Sequence, residues 1–132
     1  MKQNQRRRSK GQSLVETAII LPVVLLLVMA IIDFGLLFNN YILISNASRE
    51  GARKAALGGT DIEVRQTVLN MTTTLKVTNM DIRVTEPDGS RDHGKTIIVS
   101  INYKSELITP LIDKFFPGGV AELKSASTMR IE

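Results

Sequence analysis

Gly89-Ser90-Arg91-Asp92-His93-Gly94-Lys95-Thr96 matches the phosphate-binding pattern G-x-x-x-x-G-K-[ST] at every fixed position. That pattern cradles phosphate only between a strand and a helix N-terminus, where aligned backbone N–H groups face the anion. Here Ile97-Ile98-Val99-Ser100-Ile101 follows, which reads as a strand. The segment is therefore expected to be a hairpin loop, with no cofactor. His93, the one histidine of the chain, sits in the same polar stretch and has no cysteine or second histidine to join it in a metal site or triad. Asp81, Glu86, Asp88 and Asp92 surround the loop, but their spacing does not fit the calcium pattern D-x-[DN]-x-[DN]-G. No catalytic, cofactor-binding or metal-ligating residue is assigned, and no enzyme is expected. The chain is read as taking neither a small-molecule substrate nor nucleic acid.

Two other acids stand in unusual places. Glu16 directly precedes Thr17–Ile32, sixteen residues without a charge, and Asp33 directly follows them. A carboxylate in or beside hydrocarbon is costly and is a functional candidate by default. Asp33 reads either as an interfacial residue that reaches water or as a polar contact within the membrane. The nearest cations to Glu16 in sequence are upstream, at Lys10 and Arg8. Its charge is met by water at the lipid interface or by a positive group from elsewhere.

These residues need a membrane to make sense of them. Sixteen residues fall short of the roughly 20 that cross about 30 Å of hydrocarbon. Apolar character resumes at Phe34, Gly35, Leu36, Leu37 and Phe38, so Leu14 to Phe38 supplies 25 residues. The rest of a 132-residue chain is too small to bury such a helix on all sides. Charge is polarised to match. Residues 1–10 carry five basic groups and no acid, while the other 122 carry 12 basic and 13 acidic groups, a net −1. A basic run without aromatic groups, placed directly before an apolar span, is a topology signal that stays cytoplasmic. Membrane lipid is the first partner expected. The N-terminus is inside and the C-terminal part outside. Ordinary secretory cleavage is disfavoured, because the nearest small-residue site, Ser45-Asn46-Ala47, lies 13 residues beyond Ile32.

Gly11-Gln12-Ser13-Leu14-Val15-Glu16, after the basic leader and before the apolar helix, resembles the cleavage site of type IV pilin-like precursors. Together with Pro22 in the apolar run, Ile31-Ile32-Asp33-Phe34-Gly35, the stretch Asn46 to Leu57 and the end at Thr128-Met129-Arg130, it resembles the TadE-like proteins, minor pseudopilins of the tight-adherence (Tad/Flp) pilus. The resemblance implies cleavage between Gly11 and Gln12 by a prepilin peptidase on the cytoplasmic side. It makes Glu16 residue five of the mature chain and an assembly contact with a neighbouring subunit's N-terminal amine. The implied partners are that peptidase, other pilin or pseudopilin subunits and the assembly platform. The implied place is the cytoplasmic (inner) membrane, single-pass. The alternative is a permanently anchored single-span protein whose outer domain binds a ligand or surface partner.

Four segments follow: a leader at 1–11, a membrane helix at 12–38, its outward continuation at 39–59 and a small outer α+β domain at 60–132. Leu37, Tyr41, Ile44, Ser48, Ala52 and Ala55 recur at helical spacing and predict one continuous helix over about 13–57. Small residues at Ala47, Gly51 and Ala52 allow close helix packing, either as core of this chain or as a seam between subunits. Gly58-Gly59 is a stop, and Thr60-Asp61-Ile62-Glu63 is a capping box opening a second helix to about Leu75, with Val64, Val68, Met71 and Leu75 buried. Three strands are predicted, around Ile82–Val84, Thr96–Tyr103 and Leu123–Ile131, with a turn at Pro87-Asp88-Gly89. Leu107 to Phe116 reads as an apolar loop. Its Leu111, Ile112, Phe115 and Phe116 cover the sheet, dock on a partner or touch the membrane. The expected fold class is α+β and pilin-like: a long N-terminal helix, a second helix and a small antiparallel three-stranded sheet.

Overall fold

The structure is a computed structural model and describes residues 2–109 and 116–132, with side chains described from Gly11 onward. The expected loop residues Leu111, Ile112 and Phe115 lie outside the described residues. The first helix, α1 (Lys2–Ala56), is 55 residues long, about 80 Å at 1.5 Å per residue. It begins earlier than the periodicity predicted, because it continues through the leader. Gln, Arg and Lys are good helix formers, and that run holds no proline. Pro22 is accommodated inside the helix.

Two glycines end α1. Gly58 adopts φ +84°, and Gly59 donates its N–H to the Lys54 carbonyl at 3.0 Å while Gly58 donates to Ala55 at 3.1 Å. This is the Schellman arrangement, which satisfies carbonyls that the helix leaves open. A Cβ on Gly59 would stand 2.7 Å from the Lys54 carbonyl oxygen, so close approach fixes the second glycine too.

The second helix, α2 (Asp61–Met71), opens on the predicted capping box. The Glu63 N–H donates to Thr60 Oγ1 at 3.3 Å, and the Thr60 N–H donates to the Glu63 carboxylate at 2.9 Å. That bond, with the nearby Lys54 charge, holds the Glu63 carboxyl below its ordinary value. The helix stops four residues short of Leu75. At its end the Thr72 hydroxyl donates to the Val68 carbonyl at 2.8 Å, and Thr72 takes the buried position expected of Met71, which is 40% exposed. Leu75 is still buried, from the turn beyond.

Three strands, β1 (Met80–Thr85), β2 (Thr96–Glu106) and β3 (Val120–Arg130), pair antiparallel in the order β1-β2-β3. β2 is central and pairs over its full length with β3, from Thr96↔Arg130 to Glu106↔Val120. Its alternation places Ile97, Val99, Ile101, Tyr103 and Ser105 on the buried face. Opposite them β3 presents Ser127 and Ser125 beside Val99 and Ile101. Small inward residues on β3 leave room for a helix against the sheet.

That helix is the outer half of α1. Ile44, Ala47, Ser48, Gly51, Ala52, Ala55 and Ala56 are buried against Val64 and Val68 of α2 and against β2. The buried face runs through Asn40 rather than Tyr41, which is 46% exposed at its edge. Gly51 sits where three elements meet: a Cβ there would stand 2.9 Å from Val68 Cγ2 and 3.3 Å from Val99 Cγ1. On the exposed side Glu50 pairs with Arg53 at 3.8 Å.

Candidate functional site

The membrane-side half of α1 is a bare apolar rod. Every residue from Gly11 to Val28 is exposed, and only 6% of its most apolar 18-residue window is buried. The core helix of a folded soluble domain would be covered. Among the described residues this is the one helix long and apolar enough to cross a membrane.

Gly11, Gln12 and Glu16 lie at the N-terminal end of that rod, next to the basic leader, all exposed. A Cβ on Gly11 would meet nothing within 4 Å, so folding of this chain does not require a glycine there. Gln12 and Glu16 are four residues apart and share one helix face. Cleavage before Gln12 would place a new ammonium and the Glu16 carboxylate one turn apart on an apolar helix. An ion pair made within or between subunits would relieve the desolvation cost of both.

At the other end of the rod Asp33 is only 3% exposed, between Ile32 at 53% and Phe34 at 65%. The backbone N–H of Ile108 donates to Asp33 Oδ1 at 3.1 Å, and that of Thr109 donates to Oδ2 at 2.9 Å. The carboxylate is therefore a structural contact that holds the chain leaving β2. Two further polar contacts tie α1 to the sheet above it. Asn40 Nδ2 donates to Ser105 Oγ at 3.1 Å, and the Ser48 and Ser125 hydroxyls meet at 3.0 Å. Asp33, Asn40 and Ser48 follow one helix face at intervals of seven and eight residues. No local pattern announces their partners, which are 65–77 residues away in sequence.

The G-x-x-x-x-G-K-[ST] segment is the β1–β2 hairpin loop, and Thr96 enters a strand, not a helix. Glu86-Pro87-Asp88-Gly89 forms the turn, closed by a Gly89 N–H to Glu86 carbonyl bond of 3.0 Å. Asp88 accepts from the Thr96 N–H at 2.9 Å, and Lys95 reaches Asp92 at 3.2 Å. Arg91 bonds Glu86, Asp61 and the Gly59 carbonyl, which raises its pKa further and ties the loop to the start of α2. Asp81 pairs with Arg83 at 2.8 Å. Each carboxylate around the loop thus has its own partner, and His93 is exposed.

Residues 11–53 match the family model described as TadE-like protein. This stretch of the chain is TadE-like. The TadE-like segment begins at Gly11 and contains Gln12, Glu16, Asp33, Ala47, Gly51 and Ala52. It coincides with the long apolar helix and its packed outer half. Helix α2 and the sheet lie outside the TadE-like match. No curated protein and no solved structure matches the chain.

Proposed function

We propose that this chain is a pseudopilin-type subunit of Tad/Flp pilus assembly that works by being cleaved and then docking. In this reading a prepilin peptidase cuts between Gly11 and Gln12 on the cytoplasmic face of the inner membrane. The outer α+β domain remains on the other side. Glu16 then meets the N-terminal amine of a neighbouring subunit, and the partners are other pilin or pseudopilin subunits and the assembly platform. The observation that carries the reading is Gly11. It is exposed, a Cβ there would meet nothing within 4 Å, and it opens the TadE-like segment three residues after the arginine triplet Arg6-Arg7-Arg8. A glycine with no packing duty in the middle of a helix, where it costs up to about 1 kcal/mol against alanine, points to recognition by another protein.

The test is the N-terminus of membrane-extracted protein from its native host, by intact mass and terminal sequencing. The expected chain begins at Gln12. Gly11→Leu is expected to leave the fold unchanged and retain the whole leader. A wild-type chain still carrying Arg6-Arg7-Arg8 would overturn the proposal in favour of a permanent anchor whose outer domain binds a ligand or surface partner.

Glu16→Ala separates the two halves of the proposal. The variant is expected to insert and to be cleaved as wild type, and to lose assembly. Counting pili on cells expressing it as the sole copy checks this; normal piliation would remove Glu16 from the docking contact.

A further inference from the structure

Asp33 is an acid at the end of an apolar rod, and what covers it is a loop, through the backbone N–H groups of Ile108 and Thr109 and the Thr109 side chain. The chain leaving β2 at Leu107 passes across α1 at that height, with Thr109 only 2% exposed against the helix and Ile108 turned outward at 67%. The returning strand is close by: the Leu107 N–H donates to the Gly119 carbonyl at 3.1 Å, and Phe116 is 36% exposed. Both described ends of the β2–β3 connection, 107–109 and 116–119, are thus held at the level where the charge-free run stops. Around the same stretch of α1, Phe34, Leu36, Phe38, Tyr41 and Ile42 are 44–67% exposed.

Helix length decides how deep this level lies. Leu14 to Ile32 spans about 28 Å at 1.5 Å per residue, just short of the roughly 30 Å hydrocarbon core. Residues 33–38 therefore fall in the outer interfacial zone, where aromatic residues collect. Irregular backbone at that depth is tolerated only if its N–H groups are satisfied within the protein. Asp33 does this for two consecutive ones. The same bonds give a buried carboxylate two donors, which is the condition for keeping it there.

We propose that the two described ends of the β2–β3 connection, 107–109 and 116–119, form a second membrane contact, a foot that sets Ile108 and Phe116 into the outer lipid interface beside α1. The occupant of this apolar surface is lipid. The inference rests on α1 spanning the membrane, and it goes beyond cleavage and docking. It predicts that the outer domain leans on the bilayer at one fixed height and does not swing freely on its helix.

The chain has no cysteine, so a single engineered one reports alone. The full chain carrying Ile108→Cys, labelled with an environment-sensitive fluorophore, is reconstituted at one copy per nanodisc of phosphatidylethanolamine and phosphatidylglycerol. Ile20→Cys serves as the control inside the span, and Arg83→Cys as the control on the far face of the sheet. The label at 108 is expected to emit at shorter wavelength than that at 83. It should be quenched several-fold more by lipids carrying a nitroxide near the headgroup, with the label at 20 quenched by deep nitroxides. A label at 108 that behaves like that at 83, while 20 is quenched, overturns the foot and leaves the span standing. Shielding at 108 that appears only with two or more copies per disc assigns the surface to a protein partner and overturns it as well. A label at 20 that no lipid nitroxide quenches overturns the span and the foot together.

Discussion

Gly51→Leu is expected to destabilise the outer domain while leaving the membrane helix inserted. A Cβ at this position already meets Val68 Cγ2 at 2.9 Å and Val99 Cγ1 at 3.3 Å. Both neighbours are β-branched and stiff, so they do not give way by a rotamer change. At an exposed helix position, replacing glycine gains up to about 1 kcal/mol from backbone entropy. Here four extra carbons enter a closed three-element junction, and overpacking of this kind costs about 1–3 kcal/mol or more. The loss exceeds the gain, and the difference is a sizeable fraction of a total stability of about 5–15 kcal/mol. Gly35→Leu is the matched control, because a Cβ there meets nothing within 4 Å. Thermal unfolding of the full chain in nanodiscs, followed by proteolysis of the outer domain, reads the effect. Equal protease resistance in the two variants would show that the junction at Gly51 is not close-packed.

Asp33→Leu is expected to destabilise the outer domain, and the sign of the effect is the informative part. If Asp33 were a polar misfit at the lipid boundary, leucine would remove a charge from an apolar stretch and stabilise the protein. The carboxylate instead accepts from the N–H groups of Ile108 and Thr109 at 3.1 and 2.9 Å. Leucine leaves both donors without an acceptor, at about 1–3 kcal/mol each. Asp33→Asn keeps one acceptor oxygen and should lose about half as much. Amide hydrogen exchange locates the damage. Protection at residues 108 and 109 should fall in the leucine variant while protection in α1 around Ala47 is retained. Unchanged exchange at 108 and 109 would remove the carboxylate from its holding role.

The contrast between these two residues shows what the sequence makes legible. The long helix, the capping box at Thr60, the alternation of β2 and the α+β class all rest on short-range patterns, and the fold reproduces them. So does the reading of residues 89–96 as a hairpin loop, because the residues after Thr96 alternate as a strand does. Burial of Ala47, Gly51 and Ala52 was one of two readings, and the structure places all three within this chain's own core. What sequence did not disclose is pairing at a distance. Asp33 stood as an isolated acid whose partners are backbone groups 75 and 76 residues on, and backbone groups have no signature. The place of Asn40 on the buried stripe, seven residues after Asp33, is a signal that the sequence does carry. Tyr41 and Met71 were placed one residue off the buried line. Periodicity alone cannot separate neighbours at the edge of a helix face, and the polar side chains of Asn40 and Thr72 decided both positions.

The contacts between α1 and the sheet also have a mechanical consequence. From Asp33 through Asn40 and Ser48 to Ala56, whose carbonyl accepts from the Glu132 N–H at 3.1 Å, the helix is fastened in turn to the chain leaving β2, to β2 at Ser105, to β3 at Ser125 and to the residue beyond β3. Strand and helix run side by side over that distance. Tension applied along the helix axis would therefore be shared by all of these fastenings at once, in shear, and would not peel them apart one after another. Such a domain transmits a pull on its anchor as a rigid body and yields only when the whole seam fails.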